Sequence, residues 1–178
     1  RWYRWLERAQ KPAEIAIQRA MTAYLREAKK RYVKRAKKYI KQRKGYTPQE
    51  RKSVTDWSSL LAIVDEVKIL QKQLGRHWLS VWALAGDDAL DEVYASARKT
   101  RPLDLVFGSR EAAVEESDFT SLNIAQTTAK RLKAIFEDGL LRGDSVADIA
   151  KEIEDAKIFN TKRARMIART ESTKAINL

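Results

Sequence analysis

Residues 12–43, PAEIAIQRAMTAYLREAKKRYVKRAKKYIKQR, decide the fold. Ile17, Met21, Tyr24, Leu25, Ala28, Tyr32, Ala36, Tyr39 and Ile40 recur at steps of three and four, the period of an α-helix. Pro12 suits a first turn, where its missing N–H has no helical partner to lose, and would kink a helix that began earlier. At 1.5 Å per residue the segment makes a rod on the order of 48 Å long. Its apolar stripe is narrow, which fits packing against a single partner helix. The remaining surface is crowded with cations: Lys29, Lys30, Arg31, Lys34, Arg35, Lys37, Lys38, Lys41, Arg43 and Lys44. These are the candidate nucleic-acid-binding residues.

Outward from this rod the helical pattern persists. Gly45 and Tyr46 end it, and Thr47-Pro48-Gln49-Glu50 reads as a capping box with Pro at the first helical position. A long helix follows, with Leu60, Val64, Val67, Leu74, Trp78 and Val81 on one face and Leu61, Leu70 and Trp82 widening it. Gly75 interrupts this pattern as a point of weakness or bending. Residues 12–44 against 57–84 form the simplest hairpin, and Trp57, Trp78 and Trp82 belong to its core. Gly86-Asp87-Asp88 reads as a break and a new cap before a short helix with Leu90, Val93, Tyr94 and Ala97, which Arg101-Pro102 ends. Residues 103–119 read as a short extended piece or a loop. Helical spacing returns over 121–141, and Gly143 is placed as a helix C-cap glycine. Ser145 or Asp144 caps the next helix, with Asp148 three residues after Ser145 and Val146, Ile149, Ala150 and Ile153 facing inward. Asn160 or Thr161 caps a final helix. The fold class is all-α: a long N-terminal helical hairpin with a basic outer face, plus a compact C-terminal helical subdomain. The divisions are 1–100 (elongated region with the basic arm), 101–120 (connector) and 121–178 (C-terminal subdomain).

Charge is distributed unevenly. The chain of 178 residues carries 36 Lys+Arg and 24 Asp+Glu, a net +12. Residues 1–52 hold 18 of the basic groups against four acids, a net +14, residues 53–156 are net −7, and residues 157–178 are net +5. Two basic ends flank an acidic middle, the asymmetry of a chain that meets a polyanion. The absence of cysteine excludes disulfides, thiolate nucleophiles and Cys-based zinc sites. A single histidine, His77, excludes multi-His metal sites and reads as a polar-face neighbour of Trp78. Asp87-Asp88-Ala89-Leu90-Asp91-Glu92 lacks the glycine turn and ligand spacing of a calcium loop. Glu152 and Glu154 resemble the paired glutamates of some ADP-ribosyl transfer sites, but on a helix they point to different sides. No Gly-rich phosphate loop and no Ser/His/Asp set is present, so no enzyme activity, cofactor or metal is expected. No apolar run reaches the roughly 18 residues of a membrane span. Arg1 opens the chain with no signal-peptide pattern after it, as expected of a fragment or of the ordered part of a longer chain.

At 100° per residue, Ala164, Ile167, Ala168, Ala175 and Leu178 of the final helix cluster on one side and Lys162, Arg165 and Arg169 on the other. Glu171 falls among the apolar residues. It is either wet at the edge of the stripe or ion-paired inside it, with Arg142 from the preceding helix end or Lys174 at i+3 as the cation.

Gly139-Leu140-Leu141-Arg142-Gly143-Asp144-Ser145, then Arg163-Ala164, then Ile167-Ala168-Arg169-Thr170-Glu171 and Asn177, resemble the C-terminal signature of tailed-phage minor head proteins, the head-morphogenesis family of Mu F-like proteins. The resemblance covers residues 121–178. It implies a structural role for Gly143, Ser145, Ala164, Ile167, Ala168, Arg169, Thr170, Glu171 and Asn177. It implies a virion protein present in few copies, at the portal vertex or capsid interior and in the host cytoplasm during assembly. Portal, capsid or scaffold proteins are its implied partners, and packaged double-stranded DNA is contacted in some members. The basic arm lacks helix-turn-helix spacing, so DNA contact is expected through backbone charge alone. Trp2, Tyr3 and Trp5, interleaved with Arg1, Arg4 and Arg8, could stack on nucleobases, but packaged duplex offers few unstacked bases, so Trp2 and Trp5 read as an anchor into a protein groove. The other readings are a general sequence-independent DNA-binding protein and a non-catalytic fragment of a larger enzyme.

Overall fold

The computed structural model of the protein describes the backbone over 2–42, 47, 50, 56–97 and 104–177, and side-chain surroundings over 10–42, 47, 50, 56–80, 111–112 and 114–174. The described residues are all-α and contain no strand: α1 (Trp2–Gln42), α2 (Trp57–Leu61), α3 (Ile63–Ala97), α4 (Asp104–Arg142), α5 (Val146–Asp155), a 3-10 turn (Lys157–Phe159) and α6 (Thr161–Asn177).

The four long helices alternate in direction. Tyr24 of α1 meets Glu66 of α3, while Ala20 and Ala23 lie beside Gln73 and His77. Gly75 of α3 faces Ser117 of α4, and Lys133 sits 5.3 Å over the Trp57 ring. Thr128 and Glu116 of α4 meet Arg163 and Lys174 of α6. Gln10 donates to Thr173 Oγ1 at 3.0 Å, and the Tyr32 and Phe159 rings stand 6.1 Å apart. Each pairing is antiparallel, so the chain forms an up-down-up-down bundle. α1 packs on α2, α3, α5 and α6, α4 packs on α2, α3 and α5, α3 also touches α6, and α1 and α4 occupy opposite corners. One core runs from Ala13 to Ala168. Tyr24, Tyr32, Leu70, Trp78, Phe136 and Ile149 are fully buried in it, and burying a Leu or Phe side chain contributes roughly 1.5–3 kcal/mol.

Several expectations are corrected by this arrangement. The expected hairpin exists as α1 on α3, but α1 packs on four α-helices, α2, α3, α5 and α6, rather than on one. The C-terminal helices cluster as expected, and their inward residues Ile149, Ile153, Ala164 and Ala168 belong to the one core. α1 begins at Trp2 and continues through Pro12. α3 runs unbroken through Gly75 and Gly86-Asp87-Asp88 to Ala97, and residues 104–119, read as an extended piece or loop, are the first half of α4.

The break that does occur is at Ala62, with φ 42° and ψ 50°. Asp56 caps α2 by accepting from the Ser58 and Ser59 N–H groups, and Ala62 ends it with an N–H to the Ser58 carbonyl at 2.8 Å. This left-handed residue re-phases the helix. Val64, expected inward, is 67% exposed, and Glu66 is turned into the core.

The caps expected at Thr47, Gly143, Ser145 and Asn160 form. Glu50 Oε2 accepts from the Thr47 N–H at 2.7 Å, while Thr47 Oγ1 accepts from the Glu50 N–H at 3.3 Å. Ser145 and Asp148 make a reciprocal capping box, and Asn160 Oδ1 accepts from the Arg163 N–H at 2.8 Å. Gly143 ends α4 at φ 76°, with the Asp144 N–H bonded to the Gly139 carbonyl at 2.9 Å. Its left-handed backbone is costly for a residue with a Cβ, which accounts for glycine there. A Cβ on Gly139 would stand 2.7 Å from Ile149 Cγ1, so its hydrogen lets α5 fold back onto α4.

Candidate nucleic-acid interface

The cations of α1 divide into two sets. Arg31 and Arg35 turn inward to Glu66, whose side chain is 0% exposed. Arg31 donates to both Glu66 oxygens, at 2.9 and 2.6 Å, Arg35 donates at 3.0 Å, and the Tyr24 hydroxyl donates at 3.1 Å. The guanidinium of Arg31 also lies 5.7 Å over the Tyr24 ring, and that of Arg35 lies 5.4 Å over the Tyr32 ring. A carboxylate with no water needs this number of donors. Burial, then the Glu66 charge, pushes the Tyr24 phenol well above its ordinary range, so it serves as a donor. The hydrogen bonds that Arg31 donates to Glu66 raise its pKa further. Arg31 and Arg35 therefore belong to the fold, which removes them from the free set expected to meet nucleic acid.

The other set faces solvent. Arg26, Lys29, Lys30, Lys34 and Lys37 line a groove of about 520 Å³ with Val33, and Glu154 of α5 stands on its far side. They fall at i, i+3, i+4, i+8 and i+11, so one face of α1 carries them all. Lys30 is 2.8 Å from Glu27, with 67% of its side chain exposed, and that exposed pair is worth little. Lys38 and Lys41 are exposed beyond the groove. Arg43 and Lys44, and the side chains of Trp2, Trp5 and Asn177, lie outside the described residues. Five cations against Glu154 and Glu27, standing on one helix, suit a string of phosphates.

The residues of the C-terminal signature are packed. Ala164 and Ala168 are 0% exposed and let α6 approach α1, with Ile167 against the core. Arg169 and Thr170 are exposed. Glu171 is buried as expected of the inward alternative, accepting from Thr120 Oγ1 at 2.9 Å and standing 3.4 Å from Lys174. Lys174 is thus the cation. Arg142 is engaged with Asp144 at 2.7 Å and Glu152 at 2.6 Å. Arg163, buried without a carboxylate among the described residues, donates to the Ile158 carbonyl at 2.8 Å and to Thr128 Oγ1 at 2.9 Å. Desolvation, then Arg131, lowers its pKa.

Glu66 and Arg163 were not among the sequence candidates. A signal existed for Glu66, which lies four residues before Leu70 and in step with Leu74 and Trp78. His77 is half-buried beside Lys72 and Arg76 in a second groove. Among the described residues no group of three or more His, Cys, Asp or Glu could hold a metal ion, and no helix is long and apolar enough to cross a membrane. No protein-family model, curated protein or solved structure matches the chain.

Proposed function

We propose that the chain is a structural minor head protein of a tailed phage, acting in head assembly at the portal or inner capsid and touching packaged DNA through the lysine face of α1. The observation that carries the DNA contact is the segregation of cations on that helix. Arg31 and Arg35 are consumed by Glu66, while Arg26, Lys29, Lys30, Lys34 and Lys37 stand together in an open groove. Phosphates of any sequence satisfy such a row, and counterion release drives the contact. The resemblance of residues 139–177 to the head-protein signature supports the virion role. The burial of Ala164, Ala168 and Glu171 and the left-handed Gly143 support reading these residues as structural.

The test of the virion role is composition. Purified mature heads are expected to contain the chain together with portal protein, and cross-linking is expected to join it to portal, capsid or scaffold protein. Its absence from heads would overturn the assignment and leave a general DNA-binding protein.

A further inference from the structure

α4 presents a face of mixed chemistry to solvent. Glu111, Glu115 and Asp118 are exposed, and with them Phe119 at 57% and Leu122 at 38%. At 100° per residue the five fall within about 100° of one another. Two large apolar side chains rimmed by carboxylates make a surface suited to protein contact, and duplex DNA would be repelled from it.

The groove on α1 is the counterpart. Its floor is Val33, its walls are the aliphatic stems of lysines, and its rim is their ammonium groups. Residues 26–37 and 111–122 each span eleven steps, about 16 Å along their helices. The two faces match in length, oppose in sign and share an apolar centre. They also lie on opposite corners of the bundle and towards opposite ends. The α4 face is level with Lys174 and Gly75, whereas the groove lies beside Glu154 of α5. No chain can bring its own two faces together.

We propose that a second copy of this chain seats the Phe119–Leu122 face of its α4 in the α1 groove of the first, with its carboxylates on the groove lysines. The contact is heterologous, so a pair leaves the α4 face of one copy and the groove of the other free, and further copies add head to tail, closing as a ring or continuing as a filament. DNA and a second copy contend for the same lysines, so duplex binding and self-association exclude one another at the groove.

The experiment is sedimentation velocity on the full chain without DNA, at about 25 mM and about 300 mM salt, conditions between which surface charge pairs are progressively screened. The expected result is concentration-dependent association at low salt and monomer at high salt. Lys34→Glu/Lys37→Glu is expected to be monomeric, as is Glu115→Lys/Asp118→Lys, and an equal mixture of the two is expected to associate again because each supplies the charge that the other lacks. Phe119→Gln, which changes no charge, is expected to weaken association as well. All these positions are exposed, and an unchanged helical circular dichroism spectrum confirms the fold of each variant. Wild type that is monomeric in low salt, association indifferent to both charge reversals, or a mixture that stays monomeric would each overturn the proposal. Because no DNA is present, failure here leaves the DNA reading standing, and failure of DNA binding leaves this one.

Discussion

Glu66→Ala removes the acceptor of three side chains at once. Tyr24, Arg31 and Arg35 all donate to this carboxylate, and none of its surface reaches water. Removing one partner of a buried ion pair costs roughly 3–5 kcal/mol when the remaining charge is stranded. Here the arginines keep 28% and 24% of their side-chain exposure and can turn to solvent. The buried Tyr24 hydroxyl cannot turn, and an unsatisfied buried donor costs about 1–3 kcal/mol. The sum lies near the lower bound, about 3 kcal/mol, which for a chain of this size lowers Tm by about 6–12 °C. Glu66→Gln keeps an acceptor oxygen and loses the charge, so a smaller loss is expected. The assay is urea unfolding followed by circular dichroism, with Asp65→Ala as control. Asp65 is exposed in the same turn, and its replacement is expected to change stability by no more than about 0.5 kcal/mol. A second readout follows from the freed arginines. Each added phosphate contact steepens the salt dependence of DNA binding by about 0.9, so the folded Glu66→Ala variant is expected to bind duplex with a steeper slope. A Glu66→Ala midpoint equal to that of Asp65→Ala would refute the claim that this carboxylate ties α1 to α3.

Ala62→Gly is expected to raise stability by about 0.5–1 kcal/mol in the same assay, because an L-residue at φ 42° carries a steric cost that glycine does not; a lower midpoint would contradict this. The Asp56 carboxyl is held down at about 2, against an ordinary 3.8, first by the Ser58 hydroxyl and then by that of Ser59. A depressed carboxyl stabilises the fold above its ordinary pKa, and the contribution is lost as pH falls from about 4 to about 2. The difference in Tm between wild type and Asp56→Ala is therefore expected to be constant above pH 5 and to vanish near pH 2. Glu171→Ala is expected to cost about 1–3 kcal/mol, since Thr120 loses its buried acceptor, and Arg169→Ala no more than about 0.5 kcal/mol. Equal melting temperatures for these two variants would contradict the inward placement of Glu171.

The sequence was most legible where periodicity and caps agree. The apolar stripe from Ile17 to Ile40 is buried in full, and Gly143, Ser145 and Asn160 end or begin helices where their side-chain chemistry requires. It was least legible at Ala62, because alanine is the strongest helix former and nothing local announces a left-handed turn there. That residue separates α2, where Leu60 and Leu61 are buried, from α3, whose inward face is the series Glu66, Leu70, Leu74 and Trp78 and leaves Val64 exposed. With Glu66 inside, two arginines that composition assigns to the basic face become core-facing. Separating Arg31 and Arg35 from Lys34 and Lys37 requires knowing which helix lies alongside, and local spacing does not contain that. The breaker signals at Gly86 and across 103–119 misled for the opposite reason. The backbone is helical through Gly86 and Gly108, and an interior glycine costs a helix about 1 kcal/mol, too little to end it.

The central claim is that the outward lysines of α1 meet phosphates and read no sequence. Its most direct test is the slope of log Kobs against log salt concentration, measured by fluorescence anisotropy on two duplexes of unrelated sequence. Five groove cations give a slope of about −4.5, and Lys29→Gln/Lys34→Gln/Lys37→Gln leaves two and a slope of about −2, with both duplexes bound alike. A slope that the triple variant leaves unchanged, or strong preference for one duplex, would contradict the account.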